Sequence, residues 1–186
     1  MSLYITLGIL AVILLWAALN YNLLVRIRQQ VRESWSGIDT ELKRRYDLVP
    51  NLVETVKGYA AHERQVLTAV TDARARAQAS TGSPESQAQD EQELVASMRQ
   101  LLAVAEDYPD LKASEHYLSL QQELSNTEDR IQAARRFYNG NVRDLNTRIE
   151  VFPSNLIAAL FHFVKEEYFE VESSVIRQVV DVNFSD

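Results

Sequence analysis

The first 25 residues carry no charged side chain, and that absence constrains the chain more than any other feature. Within them, "LYITLGILAVILLWAAL", Leu3 to Leu19, is an unbroken apolar run of about 17 residues, the lower end of what crosses a bilayer as a helix. Trp16 and Tyr21 stand at its end, where interfacial aromatics sit in membrane helices. The anchor reading therefore rests on Leu3, Trp16, Leu19 and Tyr21. A cleaved signal peptide is the competing reading. It wants a basic segment before the apolar run and a small-residue cleavage site after it. No Lys or Arg precedes this run, and it passes directly into "NYNLLVRIRQQV". Arg26, Arg28 and Arg32 follow the run, so the positive-inside rule places the N-terminus outside and the rest of the chain in the cytoplasm.

Beyond the anchor the pattern is helical. Leu24, Ile27, Val31, Trp35, Ile38, Leu42, Val49, Leu52, Val56, Tyr59, Val66, Val70 and Ala73 recur at steps of three and four. The seam keeps its phase through "KRRYDLVPNLVETVKGY", although Pro50 lies inside it. Proline removes one helical hydrogen bond and crowds the carbonyl four residues back. Asp47 is a good N-cap, and proline is tolerated in a first turn, so Asp47 and Pro50 together predict a helix restart or a kink. Lys43 and Arg45 are placed to pair with Asp39 and Glu41 one turn earlier.

"ASTGSP", Ala79 to Pro84, is a linker. Ser83 then predicts an N-cap with Pro84 at the first helical position, opening a helix from about Glu85 to Asp107. "DYPDLKAS" breaks it, and Ser114 can cap a third helix. Tyr117, Leu120, Leu124, Thr127, Ile131, Ala134, Tyr138, Asn141, Leu145 and Arg148 form an uninterrupted heptad-like stripe there, of the kind that packs on other helices or in a coiled coil. In the pair Tyr138–Asn139 the tyrosine is expected to pack and the asparagine to bond locally. "VFPSN" stops this helix, and a short one follows from Leu156 to about Phe163. The tail "EVESSVIRQVVDVNFSD" has a mixed period and reads as a strand or an extended arm.

Long strings of this chain resemble the LemA family of bacterial membrane proteins: "YNLLVRIRQQVRESWSGIDTELKRRYDLVPNLVETVKGYAAHE", "AEDYPDLKASEHYLSLQQELSNTEDRIQAARRFYNGNVRDLNTRIEVFPSNLIA" and the late "YFE". The resemblance implies a bacterial, single-pass inner-membrane protein with an antiparallel helical-bundle domain, and it carries over no catalytic residues. Together with the residue pattern it predicts an all-α protein. A transmembrane helix (residues 1–22) precedes a three- to four-helix bundle with a long first helix (23–165) and an extended tail (166–186).

Composition narrows function. With no cysteine there is neither a disulfide frame nor a thiolate metal site. A net charge of -7 and a pI near 5.1 argue against nucleic acid as a partner. His62, His116 and His162 are far apart in sequence and lack second ligands at metal spacing. No phosphate loop or nucleophile elbow is present. The reading is thus not an enzyme: no catalytic, metal or cofactor residues, no cofactor, and no small-molecule substrate. It is a membrane-bound scaffold or assembly module whose partners are the lipid bilayer, further copies of itself and other membrane-associated proteins. The alternative is an accessory subunit of a membrane-associated enzyme, with a site completed only by a partner. Self-association is expected through the stripe Ile27, Val31, Trp35, Ile38 and Leu42, because the later helices look too short to cover it.

Overall fold

The computed structural model describes residues 1–170. Six helices account for all regular structure among the described residues: α1 (Ser2–Lys57), α2 (Arg64–Ala79), α3 (Pro84–Ala105), α4 (Pro109–Lys112), α5 (Glu115–Glu150) and α6 (Ser154–Leu160). The all-α class and the long first helix are as expected. The tail from residue 171 onward, expected as a strand or an arm, lies outside the described residues.

α1 is one helix of 56 residues, about 84 Å long at 1.5 Å per residue. It does not restart at Pro50. Asp47 and Pro50 are both exposed residues inside an unbroken helix, so Asp47 caps nothing. The break falls later, between Lys57 and Arg64, where the periodic seam suggested continuity. Gly58, a weak helix former, follows the last turn, and buried Ala60 fixes the reversal by donating its N–H to Val56 O at 2.8 Å. The long seam therefore belongs to two antiparallel helices, each burying its own part.

Pro50 is tolerated because another helix supplies the lost bond. With no N–H at position 50, the Tyr46 carbonyl has no donor one turn ahead. Arg74 of α2 donates its Nε to that carbonyl at 2.6 Å. A defect in α1 has become a tie to α2.

α3 starts as predicted: the Ser83 hydroxyl accepts from Ser86 N, and Pro84 opens the helix. α5 begins after Ser114, which makes no side-chain cap bond. α5 runs antiparallel to α1. Arg45 meets Glu128, Trp35 meets Tyr138, and Asn141 reaches Gln30 O, so numbers fall along one helix as they rise along the other. α2 packs on α1, α3 on α2, and α6 on both α1 and α5. The later part of α1 with α2, α3 and α5 makes an antiparallel four-helix bundle around Leu42, Val49, Leu52, Val70, Leu94, Leu101 and Leu124. α1 lies free of the bundle only through Leu15; Trp16, Ala17 and Tyr21 already pack against its core. At the other boundary Phe163 and Phe169 are buried, so the packed body extends beyond residue 165, to Glu170.

Candidate functional site

The stripe proposed as an interaction surface is used inside the chain. Ile27, Val31, Ile38 and Leu42 are buried, and Trp35 is half-buried. α5 and the segment after α6 cover the stripe together, although it is the part expected to be left bare. Phe163 and Phe169 enter the core there, and the rings of Tyr138 and Phe169 stand 5.2 and 5.5 Å from Trp35.

That segment, residues 163–170, is held as a strap by two asparagines of α5. Asn146 donates its Nδ2 to Glu166 O at 2.9 Å and accepts from Glu166 N at 3.0 Å. Asn139 accepts from Phe169 N at 2.9 Å and donates to Glu170 Oε1 at 2.9 Å, with Phe169 O at 3.4 Å. Seven residues of helix rise about 10.5 Å, which an extended chain covers in three residues at about 3.3–3.6 Å each. The spacing 139–146 against 166–169 is therefore the match of a helix to an extended strand. Tyr138 packs as expected, but Asn139 bonds across the fold rather than locally. The Tyr138 hydroxyl donates to Glu167 O at 2.9 Å. Burial first, then Glu166 and Glu167, push its pKa up to about 12.

The second constellation is a buried ionic junction. Arg45 is 3% exposed and ion-pairs with buried Glu91 of α3 and, at 2.9 Å, with Glu128 of α5. The Tyr46 hydroxyl donates to the same Glu91 carboxylate, and Gln132 donates to Glu128 at 2.7 Å. Burial and the neighbouring Glu91 raise the Tyr46 pKa far above that of a free phenol. The expected pair of Arg45 with Glu41 does not form among the described residues; the guanidinium turns inward, where two carboxylates offer it charge at lower desolvation cost than an unpaired ion would meet. Sequence spacing could not find this junction, because its members lie 46 and 83 residues apart.

Beside the junction a cleft of about 360 Å³ opens between α3 and α5, with Arg99, Arg135, Gln92 and Phe169 on its walls. The buried Arg45 and Glu91 on its wall are paired with each other. His62, His116 and His162 are exposed on separate elements, and no group of three His, Asp or Glu converges among the described residues. Of the anchor residues, Leu3 and Leu19 are exposed, whereas Trp16 and Tyr21 are partly covered by the bundle. The apolar part of α1 is long enough to be a membrane span, and none of it is buried within the chain.

The region that comparison recognises takes in most of the bundle and its strap. The LemA family profile matches residues 34–184. The chain belongs to the LemA family. A protein named LemA from Metamycoplasma hominis is 28% identical over 84% of this chain and 75% of its own length. Magnetosome protein MamQ 2 of Paramagnetospirillum magneticum is 25% identical over 82% of the chain. Magnetosome protein MamQ of Magnetospirillum gryphiswaldense is 23% identical over 81%. The chain spans 65% of the length of each MamQ protein. None of these three names denotes an enzyme. Family and relatives mark a membrane-associated protein, and the apolar first helix supplies a candidate span.

Proposed function

We propose that this LemA-family protein is an inner-membrane scaffold: a single span at the N-terminus, the N-terminus outside, and a cytoplasmic bundle that works by protein–protein contact. The observation that carries this is the continuity of α1, which runs without a break from the uncovered apolar segment into the centre of the bundle. Such a rod mounts the bundle on the membrane in one orientation. The buried ions are paired to one another and join three helices, which supports a structural role over a partner-completed active site.

Self-association belongs to this proposal, but not through Ile27–Leu42, which is spent in the core. The surfaces left are the free part of α1 and the bundle's outer faces, where Phe137 is 65% exposed. The chain has no native cysteine, so single cysteines at Leu10, Phe137 and Ile38 can be crosslinked in membranes. Intermolecular dimers at Leu10 or Phe137, and none at Ile38, are the expected result. Monomers at all three positions refute self-association, and dimers at Ile38 refute its burial.

A further inference from the structure

Most of the large exposed apolar residues outside α1 fall in one place. Phe152, Leu156, Leu160, Phe161 and Val164, with Val151, crowd the corner where α5 turns into α6. Phe152 is 78% exposed and Val164 73%. Leu156 and Leu160 are one turn apart and share the outer face of α6, while Ile157 and Ala158 fill its inner face. Isolated apolar residues on a surface need no explanation, but a contiguous set does.

The corner sits against the membrane end of α1. The Tyr21 ring lies 4.6 Å from Phe161 and 6.0 Å from Phe163, and α6 packs on α1. Depth then follows from length. Only Ser2–Leu15 of α1 is free of the bundle, about 20 Å of helix at the standard rise. The hydrocarbon core is about 30 Å thick. A span confined to the free part falls about 10 Å short, so about seven further residues, Trp16–Asn22, must complete it, and whatever packs beside those residues is drawn to the same depth. Amphipathic elements that lie on membranes sit about 5–10 Å into the headgroup–acyl boundary. The shortfall and that depth agree. Arg26 and Arg28 follow Leu19 by two to three turns, at headgroup level, and the Arg28 guanidinium stacks over Phe163 at 4.9 Å.

We propose that the α5–α6 corner is a second membrane contact, with Phe152, Leu156, Leu160, Phe161 and Val164 seated in the headgroup–acyl boundary of the bilayer that α1 spans. This rests on the anchored reading above. It makes the protein bidentate on the membrane: one span and one interfacial wedge, joined through Tyr21 and Phe161.

The test uses the full chain in phosphatidylcholine–phosphatidylglycerol vesicles, with an environment-sensitive fluorophore on a single cysteine. Probes go at Leu156 and Leu160 in the corner, at Leu10 in the span, and at Leu118, which is 50% exposed near the start of α5. Lipids carry a spin-label quencher either near the headgroup or deep in the chain. The expected result is blue-shifted emission at Leu156 and Leu160, quenched more by the shallow label than by the deep one. Leu10 is quenched more by the deep label, and Leu118 by neither. Probes at Leu156 and Leu160 that behave like Leu118, with Leu10 quenched, overturn the second contact and leave the anchor standing. Corner probes shielded from aqueous iodide yet untouched by lipid quenchers also overturn it, in favour of a protein covering the corner. An unquenched Leu10 overturns the anchor and the corner contact together.

Discussion

Arg74→Ala tests the claim that Pro50 is accommodated by a bond from α2. Among the described residues the Tyr46 carbonyl has only Arg74 Nε to replace the amide that Pro50 lacks, and Tyr46 is 6% exposed. A hydrogen bond from a charged donor contributes about 1.5–3 kcal/mol, and an orphaned buried acceptor costs about 1–3 kcal/mol. Arg74→Ala should therefore destabilise by about 2 kcal/mol. In a Pro50→Ala background the new alanine amide at position 50 can donate to the same carbonyl, so Arg74→Ala should cost well under 1 kcal/mol there. The coupling is then about 1–2 kcal/mol. Pro50→Ala alone should gain less than the roughly 3 kcal/mol that an interior proline costs, because the defect is already met. Urea unfolding of the full chain in mild detergent, followed by circular dichroism, gives all four stabilities. If Arg74→Ala costs the same in both backgrounds, within the roughly 0.3–0.5 kcal/mol expected of independent sites, the two residues do not share an acceptor and the reasoning fails.

Two further outcomes are expected. Arg45→Met should cost about 3–5 kcal/mol, because it strands Glu91 as an uncompensated buried carboxylate; pairing it with Glu91→Leu should recover most of the loss, and strictly additive losses in the same urea assay refute a coupled junction. Tyr138 keeps its proton up to about pH 12 in the fold, whereas an unfolded tyrosine ionises near pH 10. Its contribution is whole below pH 10 and is lost as pH rises from 10 through 12. Tyr138→Phe should flatten the stability profile over that window, and an unchanged slope counts against it.

Local signals in the sequence were reliable where the deciding force was local. The apolar run, the Ser83–Pro84 start and the stripe of α5 each depend on neighbours within a turn or two, and each stands in the structure. At Pro50 the helix does not restart, because the cost of proline is local but its remedy is 28 residues away, in Arg74. The seam through Ala73 misled because two antiparallel helices can continue one phase through a short reversal. For Arg45 the sequence offers Glu41, because spacing shows only i,i+4 partners. The burial that sends it to Glu91 and Glu128 is a property of the bundle. Asn139 and Asn146 carried a visible cue, two amides seven residues apart on one helix, but that spacing gains meaning only once an extended strap lies alongside.

Arg45 and Tyr46 together explain how one continuous helix can organise the rest. Arg45 holds Glu91 of α3 and Glu128 of α5; the Tyr46 hydroxyl donates to Glu91, with Ala77 O of α2 at 3.3 Å, and its carbonyl takes Arg74 of α2. Two adjacent residues of α1 thus bond to all three other helices of the bundle. From Trp16 to Tyr46 is about 45 Å along α1. At one end of that length the polar node fixes rotation and register, since a slip of one residue would turn Arg45 away from both carboxylates. At the other end Tyr21, Phe161 and the strap close the bundle by apolar contact and by the two asparagine clamps. A helix held at both ends cannot swivel relative to its bundle. A tilt imposed on α1 at its free end would therefore be carried to the node about 45 Å away, as the proposed scaffold role requires.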